Sequence, residues 1–184
     1  MKVVAFAASS SSTSINKALV THAAQAFKAT HAQEAEVEIL DLNDFEMPIF
    51  SVDKEREGGV HELARAFFDK ITSADALIIS FAEHNGSYTA AYKNVFDWAS
   101  RIDQKVFQGK PSVYLSTSPG GRGGASVLAA ATNSAPFYGA ELIGDLSIPR
   151  FHDAFDKESG ALIAGEAAEQ LGELLSKLAA AISA

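Results

Sequence analysis

The 184-residue chain predicts a doubly wound α/β fold, a three-layer αβα sandwich on a five-stranded parallel sheet. Three observations carry this reading. Strand-length apolar runs alternate with segments of helical periodicity from one end of the chain to the other. The run Ala76–Phe81 (ALIISF) is continuous and apolar, as strands covered on both faces are. Polar or glycine-rich loops follow the first, third and fourth runs, where a parallel sheet gathers its carboxyl ends and binds ligands.

The elements follow in order. Val3–Ala7 is a buried strand that breaks into a cluster of serines and threonine, Ser9 to Ser14. From Ile15 to about Thr30, the positions Ile15, Leu19, Ala23, Ala26 and Phe27 recur at helical spacing. Val37, Ile39 and Leu42 alternate in a second strand, VEILDL, and Asp44–Phe50, with Pro48, reads as irregular surface. Gly58 and Gly59 precede a helix over Val60–Ile71, with Leu63, Ala66, Phe67 and Ile71 on one face. After the third strand come the polar loop Ala82–Ser87 and a helix over Thr89–Arg101. Pro111–Thr117 is a fourth, buried strand, followed by the glycine-rich loop Ser118–Gly124 and a helix over Ala125–Ser134. Glu141–Ile148 forms the fifth strand, Pro149–Ser159 is irregular, and an alanine-rich amphipathic helix closes the chain over Leu162–Ser183. No repeat or low-complexity linker divides these elements, so residues 1–184 are expected to form one domain. Crossovers in such a sheet are right-handed. In the flavodoxin-like order 2-1-3-4-5, strands one, three and four are neighbours, and their loops Ala8–Ser14, Ala82–Ser87 and Ser118–Gly124 converge.

Bulk properties narrow the function. With 15 Lys and Arg against 23 Asp and Glu, the net charge is −8. That disfavours nucleic acid, whose binding needs a basic face, and anionic membrane surfaces. No apolar run is long enough to span a bilayer, and the N-terminal run is too short and wrongly flanked for a signal peptide. The expected location is the cytoplasm. The absence of cysteine excludes thiol catalysis, disulfides and zinc–thiolate sites, so any redox chemistry needs a bound cofactor.

Three loops carry candidate chemistry. The first, Ala8-Ser9-Ser10-Ser11-Ser12-Thr13-Ser14, opens a helix without a single Lys or Arg. It suits either a plain helix cap or an anion held by hydroxyls, backbone N–H groups and the helix dipole. It lacks both G-x-G-x-x-G and the P-loop pattern. The second, Glu83-His84-Asn85-Gly86-Ser87-Tyr88, reads as a polar turn in which Asn85-Gly86 supplies positive φ, or as a wall for a planar hydrogen-bonding ligand. His84 has no evident partner for acid–base or metal chemistry. The third, Ser118-Pro119-Gly120-Gly121-Arg122-Gly123-Gly124, is either a flexible loop or a place of close backbone approach to a ligand. Of Tyr92, Phe96 and Trp98 on the third helix, Phe96 and Trp98 are two apart and do not share one face well, so at least one of the three is a core or subunit-interface residue.

With these loops in place, the chain resembles the NADPH-dependent FMN reductase family, including its chromate/quinone reductase and azoreductase-like members. The first-loop pattern of that family, G-S-L-R-x-x-S-x-N, is matched by Ala8 to Asn16. Its P-E-Y-N-x-S corresponds to Ala82-Glu83-His84-Asn85-Gly86-Ser87, and its L-K-N-x-x-D-W to Tyr92-Lys93-Asn94-Val95-Phe96-Asp97-Trp98. Its S-x-G-x-x-G-G is similar to Ser118–Gly124, and Met47-Pro48-Ile49-Phe50 resembles its proline turn.

The resemblance implies a flavodoxin-like fold, FMN as cofactor, NAD(P)H as co-substrate, and hydride transfer through the flavin to a small acceptor: a flavin, quinone, azo compound or metal oxyanion. It places Ser9, Ser11, Ser14, Ile15 and Asn16 around the phosphate, and Ala82, Glu83, His84 and Asn85 along the isoalloxazine edge. Ser118, Gly120 and Gly121 approach the pyrimidine side, and Arg122 meets the nicotinamide nucleotide. No side chain is required as an acid–base catalyst. A homodimer or homotetramer is implied, with the third helix as its contact. The departures are Ala8, Ser11, Ala82 and His84 in place of Gly, Arg, Pro and Tyr. Losing a charge-assisted phosphate contact of roughly 1.5–3 kcal/mol implies FMN affinity about tenfold to a hundredfold below the family norm. Two other readings use the same fold: a flavodoxin-type electron carrier, and a non-catalytic binding module that has lost FMN.

Overall fold

The computed structural model describes residues 1–183. Five parallel strands form the central sheet in the order β2-β1-β3-β6-β7: Lys2–Ala8 (β1), Glu36–Leu40 (β2), Ala76–Phe81 (β3), Pro111–Thr117 (β6) and Glu141–Ile148 (β7). The intervening β4 (Glu83–His84) and β5 (Ser87–Tyr88) form a small hairpin outside it, so the five long strands follow the expected 2-1-3-4-5 arrangement. The chain reverses its direction across the sheet between β1 and β3, which pair from Val3↔Ala76 to Ala8↔Phe81. Their carboxyl ends therefore flank the switch point at which such sheets bind ligands.

The alternation of side chains along each strand divides the core. Val4, Phe6 and Ala8 of β1, with Leu77, Ile79 and Phe81 of β3, pack under the helices α3 (Glu62–Thr72), α4 (Ala90–Ala99) and α5 (Ala125–Ser134). Val3, Ala5, Ala7 and Ile78 face α1 (Ile15–His31) and α7 (Glu166–Ile182) instead. The first face is aromatic: the Phe6 ring meets Phe67 edge-on at 5.5 Å, and Phe81 meets Tyr114 at 5.0 Å. The second is mostly aliphatic, with Leu19 and Ala23 of α1 set beside Leu171, Leu175 and Leu178 of α7 and Phe27 among them.

Several elements differ from the sequence reading. The second strand stops at Leu40. The Asp41 carboxylate accepts from the Asn43 N–H at 3.0 Å and turns the chain into a 3-10 helix over Leu42–Phe45, so Leu42 is not a strand residue. A helix without a buried side chain, α2 (Val52–Gly58), was not expected, because VDKEREG carries no apolar period. Ser51 caps it through the Lys54 N–H, and Glu55 pairs with Arg101 at 2.9 Å. Pro149–Ser159 is not merely irregular. It contains the one-turn helix α6 (Phe151–Ala154) and β8 (Phe155–Asp156), which pairs antiparallel with β9 (Ala161–Leu162). Leu162 is thus a hairpin residue, and the last helix starts only at Glu166, after Gly165 at φ 153°. Tyr92, Phe96 and Trp98 are all buried inside the chain, so the helix they share does not offer them as a subunit contact. The Trp98 indole N–H donates to the Pro48 carbonyl at 2.7 Å, which anchors the proline turn. No helix among the described residues is long and apolar enough to cross a membrane.

Ion pairs fasten the outer strand β2. Glu38 lies between Lys2 (2.8 Å) and Lys70 of α3, and Lys17 pairs with Asp41. The hydrogen bond from Lys2, then that from Lys70, holds the Glu38 carboxyl below its usual range, and Lys17 does the same for Asp41. A carboxyl depressed in the folded state contributes stability above its unfolded pKa and loses it as pH falls through the folded value. The urea midpoint should therefore decline as pH is lowered from about 5 to about 3. Glu38→Gln should lower the midpoint at neutral pH and make that decline shallower, as followed by circular dichroism.

Candidate functional site

Three loops leave the carboxyl ends of neighbouring strands. The first, Ser9–Ser14, is folded on itself by serine hydroxyls. Ser9 is buried, and its Oγ accepts the Ser11 N–H at 3.2 Å. The Ser14 N–H donates to the Ser11 carbonyl at 3.1 Å, and the Ser14 hydroxyl caps α1 by accepting the Lys17 N–H at 3.3 Å. The N–H groups of Ser10, Ser12, Thr13, Ile15 and Asn16 make no hydrogen bond to any described residue. Ile15 and Asn16 occupy the first turn of α1, where the N–H groups have no intrahelical acceptor. The loop thus sets neutral donors beside the positive end of a 17-residue helix. Ser11, Ser12 and Thr13 are exposed, and the Ser11 and Thr13 hydroxyls lie 3.5 Å apart. Lys17 is committed to Asp41, so the donors carry no formal charge from within the loop.

The Asn16 side chain does not face this region. It is buried, and all of its hydrogen bonds are internal. Its Oδ1 accepts the Ser80 hydroxyl at 2.8 Å and the Thr117 N–H at 3.0 Å, while its Nδ2 donates to the Thr117 carbonyl at 3.1 Å. Both backbone groups of Thr117 are bonded as a neighbouring peptide would bond them. One carboxamide therefore locks the start of α1 to the ends of β3 and β6. Its backbone N–H stays open to the loop region.

The second loop is a tight hairpin. Asn85 and Gly86 lie at φ 52° and 77°, the paired positive angles of a two-residue turn between His84 and Ser87. Ala82 is buried, whereas His84 and Asn85 are exposed. The Glu83 carboxylate leaves the hairpin and accepts the Val127 N–H in the first turn of α5 at 2.9 Å. Gly124 caps that helix in the left-handed region and has no side chain to offer, so Glu83 supplies the missing acceptor and matches the dipole. Thr89 completes the brace: its hydroxyl donates to the Ala8 carbonyl at 2.9 Å and accepts the Tyr92 N–H at 3.2 Å.

The glycines of the third loop divide into two pairs. A Cβ on Gly123, at φ 60°, would fall 2.3 Å from Ser147 Oγ, and one on Gly124, at φ 78°, would press on Ser116 at 3.1 Å. These two are required by packing. At Gly120 and Gly121 an added Cβ would meet no atom within 4 Å, so the protein leaves open space there. The loop is stitched to the chain after β7: the Arg150 N–H donates to Gly120 O and the Phe151 N–H to Ser118 O, both at 3.0 Å. The Ser118 hydroxyl bonds Gly120 O at 3.2 Å. Arg122 is exposed and donates to the Ser126 hydroxyl at 2.6 Å. Beside the serine loop, a cleft of ≈ 790 Å³ runs between α1 and the β8–β9 hairpin, bounded by Ser12, Thr13, Ile15, Phe155 and Lys157. Among the described residues, no three His, Asp or Glu side chains are placed to hold a metal.

A sequence profile of the NADPH-dependent FMN reductase family matches residues 1–153, most of the chain and all three loops. The chain belongs to that family. Curated relatives include an NADPH:quinone oxidoreductase of Arabidopsis thaliana, 35% identical over 91 residues, and a 2-hydroxy-1,4-benzoquinone reductase of a Burkholderia species, 41% identical over 78 residues. These matches cover 50% and 42% of this chain but only 45% and 42% of the relatives, less than half of their length. Among solved structures, the flavoenzyme NAD(P)H:(acceptor) oxidoreductase FerB of Paracoccus denitrificans superimposes with a TM-score of 0.79 at 25% identity, over 99% of this chain and 97% of that one. An FMN-dependent NADH-azoreductase of Bacillus anthracis, solved with FMN, shares the fold with a TM-score of 0.68 at 15% identity, over 97% and 99% of the two chains.

The structure thus brings together Ser9, Ser11, Ser14, Ile15, Asn16, Ala82–Asn85, Ser118, Gly120 and Gly121 on the loops at the carboxyl edge of the sheet. Sequence reasoning did not single out Ser80, Thr89 or Thr117, which brace the family's loops from below. Ser80 and Thr117 were legible only as hydroxyl residues inside otherwise buried strands. Truncating the clamp with Asn16→Ala leaves the Ser80 hydroxyl and both backbone groups of Thr117 unpaired. It should cost about 2–4 kcal/mol of folding stability, measured by urea unfolding. Asn16→Asp should not rescue it, because a carboxylate cannot donate to the Thr117 carbonyl.

Proposed function

We propose that the chain is an FMN-dependent NAD(P)H oxidoreductase that passes reducing equivalents to a small acceptor of the quinone, flavin, azo or metal-oxyanion class. Family membership supports the reaction type. The observation that carries the cofactor assignment is the serine loop. Its five unpaired N–H groups and helix dipole suit a phosphate group. The printed activities of the relatives, quinone reduction above all, support the acceptor class.

The residues divide the work. The N–H groups of Ser12, Thr13, Ile15 and Asn16, with the Ser11 and Thr13 hydroxyls, hold the phosphate. Ser9 and Ser14 shape the loop, and the Asn16 side chain positions it. The backbone of Ala82, Glu83, His84 and Asn85 offers hydrogen-bonding groups to the edge of the flavin ring. The open space at Gly120 and Gly121 admits its pyrimidine side, next to Ser118. Arg122, whose partner is a neutral serine, is free to pair with a phosphate of the nicotinamide nucleotide. The chemistry that FMN supplies is hydride acceptance from NAD(P)H and electron delivery to the acceptor; orientation and exclusion of water fall to the protein. We assign residues 1–184 to one flavin-binding domain that works in the cytoplasm as a homodimer or homotetramer. Burial of Tyr92, Phe96 and Trp98 leaves that contact to exposed surfaces.

The purified protein should develop a flavin absorption band that comigrates with it on gel filtration once FMN is added, and anaerobic NADPH or NADH should bleach that band. A band that resists both nucleotides but yields to dithionite would instead make the protein an electron carrier. No retained flavin in excess FMN would make it a binding module. Restoring a guanidinium by Ser11→Arg should tighten FMN about tenfold to a hundredfold in a fluorescence-quenching titration. An unchanged affinity would remove the phosphate from this loop.

A further inference from the structure

The cleft of ≈ 790 Å³ between α1 and the β8–β9 hairpin has the dimensions of a small-molecule site and walls of one-sided charge. Lys17, Lys157 and His152 line it, and no Asp or Glu does. The neighbouring clefts are mixed: the one beside Arg150 also holds Asp153 and Glu166, and the one beside Lys177 holds Asp145 and Glu173. On a chain of net charge −8, this cleft is a place where an anion faces no carboxylate. Lys17 is already paired with Asp41. Lys157 is exposed and has no carboxylate within ion-pair distance among the described residues. Its neighbour Asp156 is engaged in the hairpin turn, where it accepts the Glu158 and Ser159 N–H groups at 2.9 and 3.4 Å.

The cleft is continuous with the loops above it. One wall begins at Ser12 and Thr13 of the serine loop and follows α1 from Ile15 to Gln25, about 15 Å at 1.5 Å per residue. The other begins at Phe151, whose N–H donates to the Ser118 carbonyl of the glycine-rich loop at 3.0 Å. From Phe151 the chain runs through Phe155 to the hairpin turn that carries Lys157. A ligand seated on the loops can therefore extend into the cleft, past apolar surface, toward a free cation.

We propose that this cleft binds the phosphorylated adenosine end of NADPH, with the base against Ile15, Phe151 and Phe155 and the 2′-phosphate on the Lys157 ammonium. The proposal rests on the reading of the chain as an NAD(P)H oxidoreductase. NADPH has the required form: an extended molecule with a reacting ring at one end and a phosphate monoester at the other. The planar base suits a wall with aromatic members. A lysine binds phosphate as a point charge and demands no fixed angle of approach, which suits its place in an exposed turn. NADH lacks the 2′-phosphate, so Lys157 favours NADPH alone.

The test is calorimetric titration of the FMN-saturated protein with 2′,5′-ADP and with 5′-AMP, neither of which can be turned over. The 2′-phosphate should make 2′,5′-ADP bind about tenfold tighter. Lys157→Gln should abolish that difference and raise the KM for NADPH about tenfold, leaving kcat and the KM for NADH unchanged. Lys157→Arg should retain the preference. Gln25→Trp, at an exposed position bordering the cleft, should weaken both probes. Equal affinity for the two probes would overturn the proposal, as would a preference that survives Lys157→Gln. Competition between FMN and 2′,5′-ADP would also overturn it, by returning the phosphate to the serine loop. Bleaching of the bound flavin by NADH is read separately, so loss of the Lys157 effect leaves the oxidoreductase reading standing.

Discussion

One buried carboxamide fixes the geometry on which the site depends. The loops at the carboxyl edge of a parallel sheet have no partner strand beyond them, so side chains do much to set their relative positions. Asn16 does this by bonding both backbone groups of Thr117 and the Ser80 hydroxyl at once. Its three bonds are shielded from water, where each is worth more and each loss is costlier. Since Asn16 is the second residue of α1, fixing its side chain also fixes the direction of the helix and of the N–H groups ahead of it. Thr89 ties α4 to the end of β1, and Glu83 ties the hairpin to α5. These bonds make a polar floor at the ends of β1, β3 and β6, and they leave the upper surfaces of the loops free for a ligand.

The two halves of the core support this edge differently. Small side chains of β1 and α1 (Ala5, Ala7, Ala23 and Ala24) let that helix approach the sheet closely, which brings its N-terminus to the switch point. The opposite face is filled by large rings in mutual edge-on contact, Phe6 with Phe67 and Phe81 with Tyr114. One sheet thus packs a close aliphatic layer on one face and a layer of rings on the other.

Much of this was legible in the sequence, because the strands, the crossovers and the three loops follow from apolar periodicity and its interruptions. The hairpin turn followed from Asn85-Gly86, whose positive φ values are a local requirement of two-residue hairpins. Helix α2 escaped because it buries nothing, and hydrophobic period is the signal by which helices are read. The β8–β9 hairpin escaped because two-residue strands leave too short an alternation, and Phe155 and Leu162 owe their burial to α1 and α7. The inward turn of the Asn16 side chain was hidden for a different reason. A residue one position inside a helix can face either the ligand or the sheet, and only the tertiary position of Thr117, 101 residues away, decides it.

The departures from the family pattern in the first loop become intelligible in the same terms. A guanidinium at position 11 would bring charge to a phosphate directly, whereas here the nearest cation in the sequence, Lys17, is drawn off by Asp41. What is left is a cradle of dipoles: backbone N–H groups, hydroxyls and a helix N-terminus, each weaker than a formal charge but oriented before any ligand arrives. Oriented dipoles hold an anion without the entropy loss of immobilising a long side chain. They also lack the long-range attraction by which a cation on an otherwise acidic protein would recruit one. With serine at position 11 the loop offers oriented dipoles in place of a flexible charge, and the Asn16 clamp beneath it preserves the arrangement on which those dipoles depend.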